Sequence, residues 1–495
     1  MSSEWRKLDR RAVPVSAVFM TGVAVAAGVP SAIGLSEISV GVALAWVLPG
    51  AVFIVAIGVF AEWLRLRFSR YRIGSDRVEL HTGVLIRNRR SLQRDRIRTV
   101  DVTANPLLRM FGLVSVRIGT GEHAEKGTVR LGPVTHATGD ELRRTLLDRT
   151  ADATAEGTLA ELDRGWIRYA PLSFVAPLLG VSAVGAALNV ADWFGLSGDL
   201  VEWAIDLLGG LGLIGGIAVL FAVAMVVGVL GALGLWVEMW WNYRLDREPG
   251  GTLRVRRGLL TTRSISVEED RVRGIEVVEP LGNRLAGAAR VDVVATGMAT
   301  GAEENKTQHR TLLPPANRPV AERVAAEVLR VPVSPTEAVH LSPHPVAARG
   351  RRLRWALATV LVAELPLVVL GLLLTDVLLH IAWITAVVAV PVAVALALDA
   401  YRGLGHGLDD DYLVARSGSV RRVTVALQRR GIIGWTVRQS VFQRRAGLAH
   451  VLATTAAGSG AYAIRDVDTG TGLDAADAAI PGLLAPFLLR DTEGS

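Results

Sequence analysis

Cysteine is absent from this 495-residue chain, and lysine occurs only three times. Without cysteine, the chain forms no disulfides, zinc–thiolate sites, iron–sulfur clusters or cysteine nucleophiles. Aromatic residues make up 6% and charged residues 20% of the sequence, whereas 51% of the residues are hydrophobic. This composition is too apolar for an ordinary soluble protein. The formal net charge of +7 is typical of proteins that bind nucleic acid or an anionic membrane surface, and its distribution decides between them.

Basic residues are missing from three long windows, residues 12–64, 169–243 and 355–401. About 20 apolar residues in a helix cross a hydrocarbon core about 30 Å thick, so each window has room for two passes. The sequence therefore predicts six transmembrane helices in three hairpins. The predicted spans are 13–33 and 40–61, 169–190 and 208–237, and 355–374 and 377–398.

Basic residues flank the hairpins but are missing from the turns inside them. Arg10 and Arg11 precede the first helix, and Arg65 and Arg67 follow the second. The connection in the second hairpin, Ala191–Asp206, is acidic instead. Because positively charged flanks stay on the cytoplasmic side, we expect a multipass protein of the bacterial plasma membrane with both termini and all polar segments in the cytoplasm.

The polar segments that follow the three hairpins repeat one another. Gln93–Val102 aligns with Glu268–Val277 at an offset of 175 residues and with Gln428–Val437 at an offset of 335. The same offsets then align three glycines, whose freedom to adopt positive φ suits a tight turn. These glycines are Gly112, Gly287 and Gly447. The chain is thus predicted to be a membrane hairpin followed by a polar module, three times over.

Each module is predicted to contain short antiparallel strands and a closing helix. Alternating apolar residues indicate the strands, and Thr82-Gly83 indicates a hairpin turn. The closing helices are predicted over Asp140–Arg149, Arg318–Arg330 and Asp474–Arg490. The fold class is therefore membrane α with small β-barrels. The predicted boundaries are hairpin 1 over residues 1–66, module 1 over 67–155, hairpin 2 over 156–240, module 2 over 241–335, hairpin 3 over 336–400 and module 3 over 401–495.

Several motifs in module 1 resemble the bacterial pleckstrin-homology-like (PH-like) module of YdbT-type membrane proteins. They are Tyr71-Arg72, Thr82–Leu85, Arg96–Val100, Asn105–Leu113 and Val116–Thr120. Modules 2 and 3 diverge from this pattern, since Pro280 replaces Asn105 and Gly431 replaces Arg96. The resemblance implies a PH-like barrel in each module and a role in envelope maintenance or stress resistance. It supplies no catalytic residues.

No motif in the sequence indicates an enzyme. A phosphate-binding loop, a His-Glu-x-x-His zinc motif and a Gly-x-Ser-x-Gly nucleophile elbow are all missing. His406 and the acidic run Asp409–Asp411 have ligand types for a hard cation, but a solvated hairpin loop is the better interpretation. We therefore predict no catalytic residue, cofactor or metal site.

Glu364 is the one acidic residue in the middle of a predicted membrane span. A charge there costs about 2.5–3.5 kcal/mol on insertion scales, so the side chain is expected to face the bundle interior or a partner. One interpretation is a proton or cation site beside Pro366. The preferred interpretation is a polar contact between helices, because no other span carries a matching charge.

Arginines on the module surfaces are candidates for contact with lipid headgroups. The candidates are Arg94, Arg96, Arg98, Arg271 and Arg273. Each basic residue near an anionic surface is worth about 1 kcal/mol, although retention on the cytoplasmic side explains these residues almost as well. Nucleic acid is not expected as a partner, because the arginines lack the interleaved aromatic residues that stack on bases.

Repetition without a catalytic constellation favours a membrane scaffold. In this hypothesis the modules bind copies of the chain, a related membrane partner protein or anionic lipid headgroups, since half-barrels leave open strand edges. The alternative is a transporter or permease component that uses Glu364 in the fifth helix.

Overall fold

The fold is described from a computed structural model of the full chain. The described residues are 5–484 except 37–38, 84–86, 95–96, 98, 120–127, 148–156, 174, 249 and 298–309. The chain divides into two compact units. Unit 1 comprises Met1–Asp270 and Gly297–Ala302, and unit 2 comprises Arg271–Thr296 and Glu303–Ser495.

Six helices among the described residues are long and apolar enough to cross a membrane, which confirms the three predicted hairpins. They are α1 (Ala12–Ser36) and α2 (Val40–Phe68), α5 (Val175–Trp193) and α7 (Gly212–Trp240), and α11 (Val346–Leu373) and α12 (Asp376–Arg402). The shorter helices are α3 (Pro106–Met110), α4 (His136–Leu147), α6 (Ser197–Gly209), α8 (Leu281–Leu285), α9 (Arg318–Leu329), α10 (Pro335–Ala338), α13 (Val441–Arg445) and α14 (Thr469–Ala479).

The second hairpin differs from the prediction at two places. Its first membrane helix begins at Val175 rather than at residue 169, because a 3₁₀ helix over Arg164–Leu172 buries Trp166 and Tyr169 before the span starts. The predicted connection contains the exposed helix α6. The acidic residues of α6 recur every three or four positions, which places them on one helical face instead of in a turn.

Unit 1 contains two antiparallel sheets. Its strands are β1 (Arg6–Lys7), β2 (Arg70–Ile73), β3 (Arg77–Thr82), β4 (Asn88–Gln93), β5 (Thr99–Ala104), β6 (Leu113–Gly119), β7 (Thr128–Thr135), β8 (Gly157–Glu161), β9 (Arg244–Glu248), β10 (Thr252–Arg257) and β11 (Thr262–Glu268). One sheet has the order β1-β2-β3-β4, and the other has the order β7-β6-β5-β11-β10-β9-β8. Apolar side chains of β2–β4 pack on those of β5–β7 and α4, and these side chains form the core of module 1.

The described residues of unit 2 also form two antiparallel sheets. Its strands are β12 (Val272–Pro280), β13 (Ala288–Ala295), β14 (Thr311–Asn317), β15 (Gly405–Leu408), β16 (Tyr412–Ser417), β17 (Arg421–Gln428), β18 (Ile432–Arg438), β19 (Leu448–Thr455) and β20 (Ala461–Asp468). The sheets have the orders β14-β13-β12-β17-β16-β15 and β18-β19-β20. The core of module 3 lies between β15–β17 and β18–β20, beside α14.

The repeated features of the modules appear at equivalent places in the structure. The three aligned glycines follow α3, α8 and α13, with φ of 69°, 69° and 66° for Gly112, Gly287 and Gly447. The predicted closing helices correspond to α4, α9 and α14. Helix α14 begins at residue 469, earlier than predicted, because the Asp468 side chain accepts a hydrogen bond from the Thr471 backbone N–H and caps it. The end of the predicted helix over Asp474–Arg490 lies outside the described residues.

The two helices of the second hairpin approach closely at small residues. A Cβ added to Gly180 would lie 1.9 Å from the carbonyl oxygen of Ala224, and one added to Gly228 would lie 2.0 Å from that of Ala176. Both contacts are with backbone, so no side-chain rotation relieves them. Close backbone approach at small residues is a common way to pack transmembrane helices.

We expect Gly180→Ala to lower the thermal stability of the hairpin, because the added methyl group forces α5 and α7 apart. Overpacking of this kind costs about 1–3 kcal/mol. Gly185→Ala is the matched control, since a Cβ at that position of the same helix meets nothing within 4 Å. Thermal unfolding of the purified variants in detergent measures the difference. Equal unfolding temperatures for the two variants would contradict the packing described here.

Candidate functional site

Strand pairing crosses the boundaries between the repeated modules. In unit 1, β5 of module 1 pairs with β11 of module 2, and Val102 lies opposite Ser264. In unit 2, β12 of module 2 pairs with β17 of module 3, and Val277 lies opposite Thr424. Val102 and Val277 are equivalent in the repeat, and so are Ser264 and Thr424. The two junctions are therefore equivalent to each other: both pair the same two types of strand in the same register.

Each module contains one strand equivalent to β5 and one strand equivalent to β11. The two such strands that take part in neither junction are outermost in their sheets. Strand β4 is the module 1 equivalent of β11 and β17, and β18 is the module 3 equivalent of β5 and β12. Residues of these two outermost strands are more exposed than their equivalents in the junction strands. At three equivalent positions the β12 residue is buried and the β18 residue is exposed, as for Val277 and Val437. In β4, Leu92 alone is buried, whereas β11 buries four residues in succession. Edges of this kind offer unpaired N–H and C=O groups to another strand.

An apolar surface lies along the free edge of module 3. It comprises four side chains of β18 and α13 with exposed fractions of 65%, 43%, 55% and 64% for Ile433, Val437, Val441 and Phe442. In module 1, the equivalent turn residue Leu107 packs against the module core instead. Clustered exposed apolar side chains often mark interaction sites. We call these four residues the module 3 edge patch.

Equivalent arginines connect each of the first two modules to the following repeat. Arg109 of α3 donates to the carbonyl oxygen of Leu259 in the hairpin loop of module 2. Its equivalent Arg284 of α8 donates to a carboxylate oxygen of Asp399 at 2.7 Å, near the end of α12. The third member of the set, Arg444 of α13, is exposed. The last module therefore presents an arginine where the first two have a partner in the next repeat.

The junction strands also bury acidic side chains. Asp101 of β5 and its equivalent Glu276 of β12 are buried near the middle of the paired strands. Burial raises the pKa of Asp101 to about 7, although Arg117 and Arg263 act in the opposite direction. Burial, assisted by the charge of Asp292, also raises the pKa of Glu276. In β18 the equivalent residue is Thr436, so the free edge carries no such charge.

The arginines that the sequence singles out have different local contacts. Arg94 donates to the backbone carbonyl of Thr145 and so attaches α4 to the strands of module 1. Arg271 precedes β12, and its carbonyl oxygen accepts a hydrogen bond from the Thr296 N–H at 3.0 Å. The Arg273 side chain covers Gly431, where an added Cβ would lie 2.8 Å from its Cδ. Arg96 and Arg98 lie outside the described residues.

Glu364 lies in α11 and faces the neighbouring helix of its hairpin. Its Oε2 accepts a hydrogen bond from the Thr385 hydroxyl of α12 at 3.0 Å. The same hydroxyl also donates toward the carbonyl oxygen of Ile381 at 2.8 Å. This geometry supports the interpretation of Glu364 as a polar contact between the two helices.

A buried polar network that sequence analysis missed attaches the third hairpin to module 3. The carboxylate of Asp466 is fully buried and accepts hydrogen bonds from Arg351 at 2.7 Å and from Arg352 at 2.9 Å, both at the start of α11. Gln443 of α13 donates a third hydrogen bond to it at 3.1 Å. A buried ion pair with this many donors fixes the helix firmly to the module.

Two histidines adjoin this network. Nε2 of His344 and Nδ1 of His406 are 3.1 Å apart, a hydrogen-bond distance. Burial lowers the pKa of both rings, in His406 to about 4 with a further contribution from His344. Neutral imidazoles are able to share one hydrogen bond, because one ring donates and the other accepts. His406 thus has a hydrogen-bond partner in His344. Within the described part of the chain, no group of three or more potential metal ligands is found.

These features define a multipass membrane protein with three repeated antiparallel β-modules, joined by strands that pair across the module boundaries. The sequence profile of the bacterial PH domain family matches the chain three times, over residues 22–150, 202–331 and 359–476. The chain therefore belongs to the bacterial PH domain family, as the motifs of module 1 indicate. No curated protein matches the chain, and neither does any solved structure.

The buried carboxyl of Asp101 predicts that unit 1 loses stability as the pH rises. An aspartate in an unfolded chain titrates near pH 3.9, whereas the pKa of Asp101 in the folded protein is about 7. The folded protein therefore holds this proton more tightly, and its stability declines between about pH 4 and about pH 7. We expect Asp101→Asn to remove this decline and to raise the unfolding temperature at pH 8.

Asp76→Asn is the control, because it removes an exposed aspartate from the same module. Thermal unfolding from pH 5 to pH 8 compares wild type with both variants. A wild-type slope that survives in Asp101→Asn, or that disappears equally in Asp76→Asn, contradicts the role of the buried carboxyl.

Asp466→Asn is expected to destabilise module 3 by about 3 kcal/mol, because two arginines lose their shared counter-charge in a buried site. Limited trypsin digestion, which cuts after arginines that become accessible, and thermal unfolding both report the change. The matched control is Asp474→Asn, which alters an exposed aspartate of α14. If both variants unfold at the wild-type temperature, the network does not fix α11 to the module.

Proposed function

We propose that the protein is a non-enzymatic scaffold of the bacterial plasma membrane, with its modules in the cytoplasm, that joins copies of itself through the strand edges of its end modules. One observation carries this proposal: two junctions within the chain pair the same two strand types in one register, and among the described strands the remaining member of each type, β4 or β18, has a neighbour on one side only. The free edge of module 3 therefore suits the free edge of module 1 in another copy.

The internal junctions define how the two free edges would meet. Transferring their register to β18 and β4 places Val437 opposite Arg89 and Thr436 opposite Arg90. The contact is head-to-tail, so repetition produces either a closed ring or a chain of copies. The same strand types already form this interface twice in each molecule.

The side chains at the free edges support a selective interface. In such a contact Val437 of the module 3 edge patch would be covered, as its equivalent Val277 is buried in a junction strand within the chain. Strand β4 carries Arg89 and Arg90 in positions where β11 has Ser264 and Ile265. Charged residues on an edge strand oppose indiscriminate pairing, which favours a partner with a defined register. A related membrane protein with the same edge is the other partner that this chemistry fits.

Cysteine cross-linking tests the proposed contact directly, because the natural chain contains no cysteine. Val437→Cys and Arg89→Cys are prepared as two separate proteins and mixed in mild detergent or in vesicles under oxidising conditions. Residues directly opposite in an antiparallel pair have Cα atoms about 4.5–5.5 Å apart, which a disulfide bridges. We expect a disulfide-linked dimer in the mixture and very little in either protein alone.

The experiment has one positive and one negative control. Val102→Cys with Ser264→Cys in one chain should form an intramolecular disulfide, because these residues pair within unit 1. Val437→Cys mixed with Asp76→Cys should not cross-link, since Asp76 is exposed in module 1 but lies outside β4. A mixture of Val437→Cys and Arg89→Cys that stays monomeric while the intramolecular control reacts contradicts self-assembly through these edges.

A further inference from the structure

A cavity of about 880 Å³ lies at one end of the first membrane hairpin, between the hairpin and module 1. Its walls come from the residues before α1, the first turn of α1, the last turns of α2, strand β2, the end of β3 and the start of β4. All of these elements belong to unit 1. The cavity therefore opens where a membrane helix meets the polar module that follows it.

Positive charge dominates the polar lining of this cavity. The six basic residues of the lining are Lys7, Arg10, Arg67, Arg70, Arg87 and Arg89, and the lining contains no acidic residue. Within the described part of the chain, none of the six forms an ion pair with a carboxylate. Nearby arginines behave differently, since Arg65 pairs with Glu62 and Arg72 pairs with Glu79 at 2.6 Å in both cases.

A concentration of cations in one cleft attracts an anion. Like charges that converge in a cleft repel one another, and low-dielectric walls focus the field of a cleft on a ligand of opposite sign. Arginine also presents a planar fork of donors that matches the oxygens of a phosphate group. The lining thus has the charge and the donors of a phosphate site.

The rest of the lining is apolar and belongs to the ends of the membrane helices. Val13 lies in the first turn of α1, and Trp63, Leu66 and Phe68 lie in the last turns of α2. Trp63 and Phe68 are exposed, and the Arg67 guanidinium lies 5.3 Å from the Trp63 ring centroid. Aromatic side chains at the end of a membrane span are typical of the headgroup region of a bilayer. A ligand here would contact cations at one end and apolar side chains at the other.

We propose that this cavity binds the phosphate of an anionic phospholipid from the leaflet that surrounds the first hairpin. The inference deepens the proposed function and rests on its membrane placement, but it does not depend on the pairing of β4 with β18. Soluble phosphate has the same charged group but lacks the apolar part, so it would contact the cations of the lining but not its apolar side chains.

Native mass spectrometry of the detergent-purified full-length protein tests the proposal. The delipidated protein is titrated with phosphatidylglycerol, with zwitterionic phosphatidylcholine, and with inorganic phosphate. We expect wild type to prefer phosphatidylglycerol to both other probes. Arg10→Gln/Arg67→Gln should weaken phosphatidylglycerol binding about thirtyfold, because each basic residue near an anionic lipid contributes about fivefold.

The matched control is Arg349→Gln/Arg354→Gln, which removes two exposed arginines near the start of α11. This variant loses the same charge at a membrane flank but leaves the cavity intact, so it should bind as wild type does. Equal loss in both double variants, equal binding of the two lipids, or a preference for inorganic phosphate overturns the proposal. Neither variant alters β18 or β4. Cross-linking of Val437→Cys with Arg89→Cys is measured in a separate experiment, and its failure would not change the conclusion about lipid binding.

Discussion

Backbone hydrogen bonds between strands of successive modules, β5 with β11 and β12 with β17, are the interaction on which the rest of the structure depends. An isolated half of a module would leave a row of N–H and C=O groups without partners beside buried apolar side chains. Pairing across the boundary satisfies those groups and lets β12 bury most of its residues. It also joins the strands of two modules into one sheet, so neither module's sheet ends at its own sequence boundary.

A repeat joined in this way has two different ends. Among the described strands, β4 of module 1 and β18 of module 3 are outermost in their sheets, and they belong to different strand types, because β4 is equivalent to β11 and β18 is equivalent to β5. Terminal units of repeat proteins usually differ from internal ones, because they lack a neighbour on one side. Here β4 carries arginines and the module 3 edge patch is apolar, so the two ends differ in chemistry as well as in direction. The basic cavity beside the first hairpin is lined in part by the start of β4.

The sequence predicts the membrane helices and the repeat well, because both signals are long or recur. Windows without Arg or Lys locate the hairpins, and the turn glycine Gly112 and its equivalents keep a common backbone conformation. The pairing of β5 with β11 is different, since a repeat shows which strands are equivalent but not which of them touch. The Asp466 network joins residues more than 100 positions apart, such as Arg351 and Asp466, and no local pattern connects them. The basic cavity likewise combines separate stretches of the sequence that only the fold brings together.

Hydrogen–deuterium exchange tests the central claim most directly, because it measures the backbone hydrogen bonds of each strand. In the dissociated protein, we expect amides of Val272–Pro280 to exchange much more slowly than those of the equivalent strand Ile432–Arg438. On assembly at higher protein concentration, the amides of Ile432–Arg438 that point away from β19 should become protected, along with those of Asn88–Gln93. Slow exchange of Ile432–Arg438 at every concentration, or fast exchange of Val272–Pro280, would contradict the account.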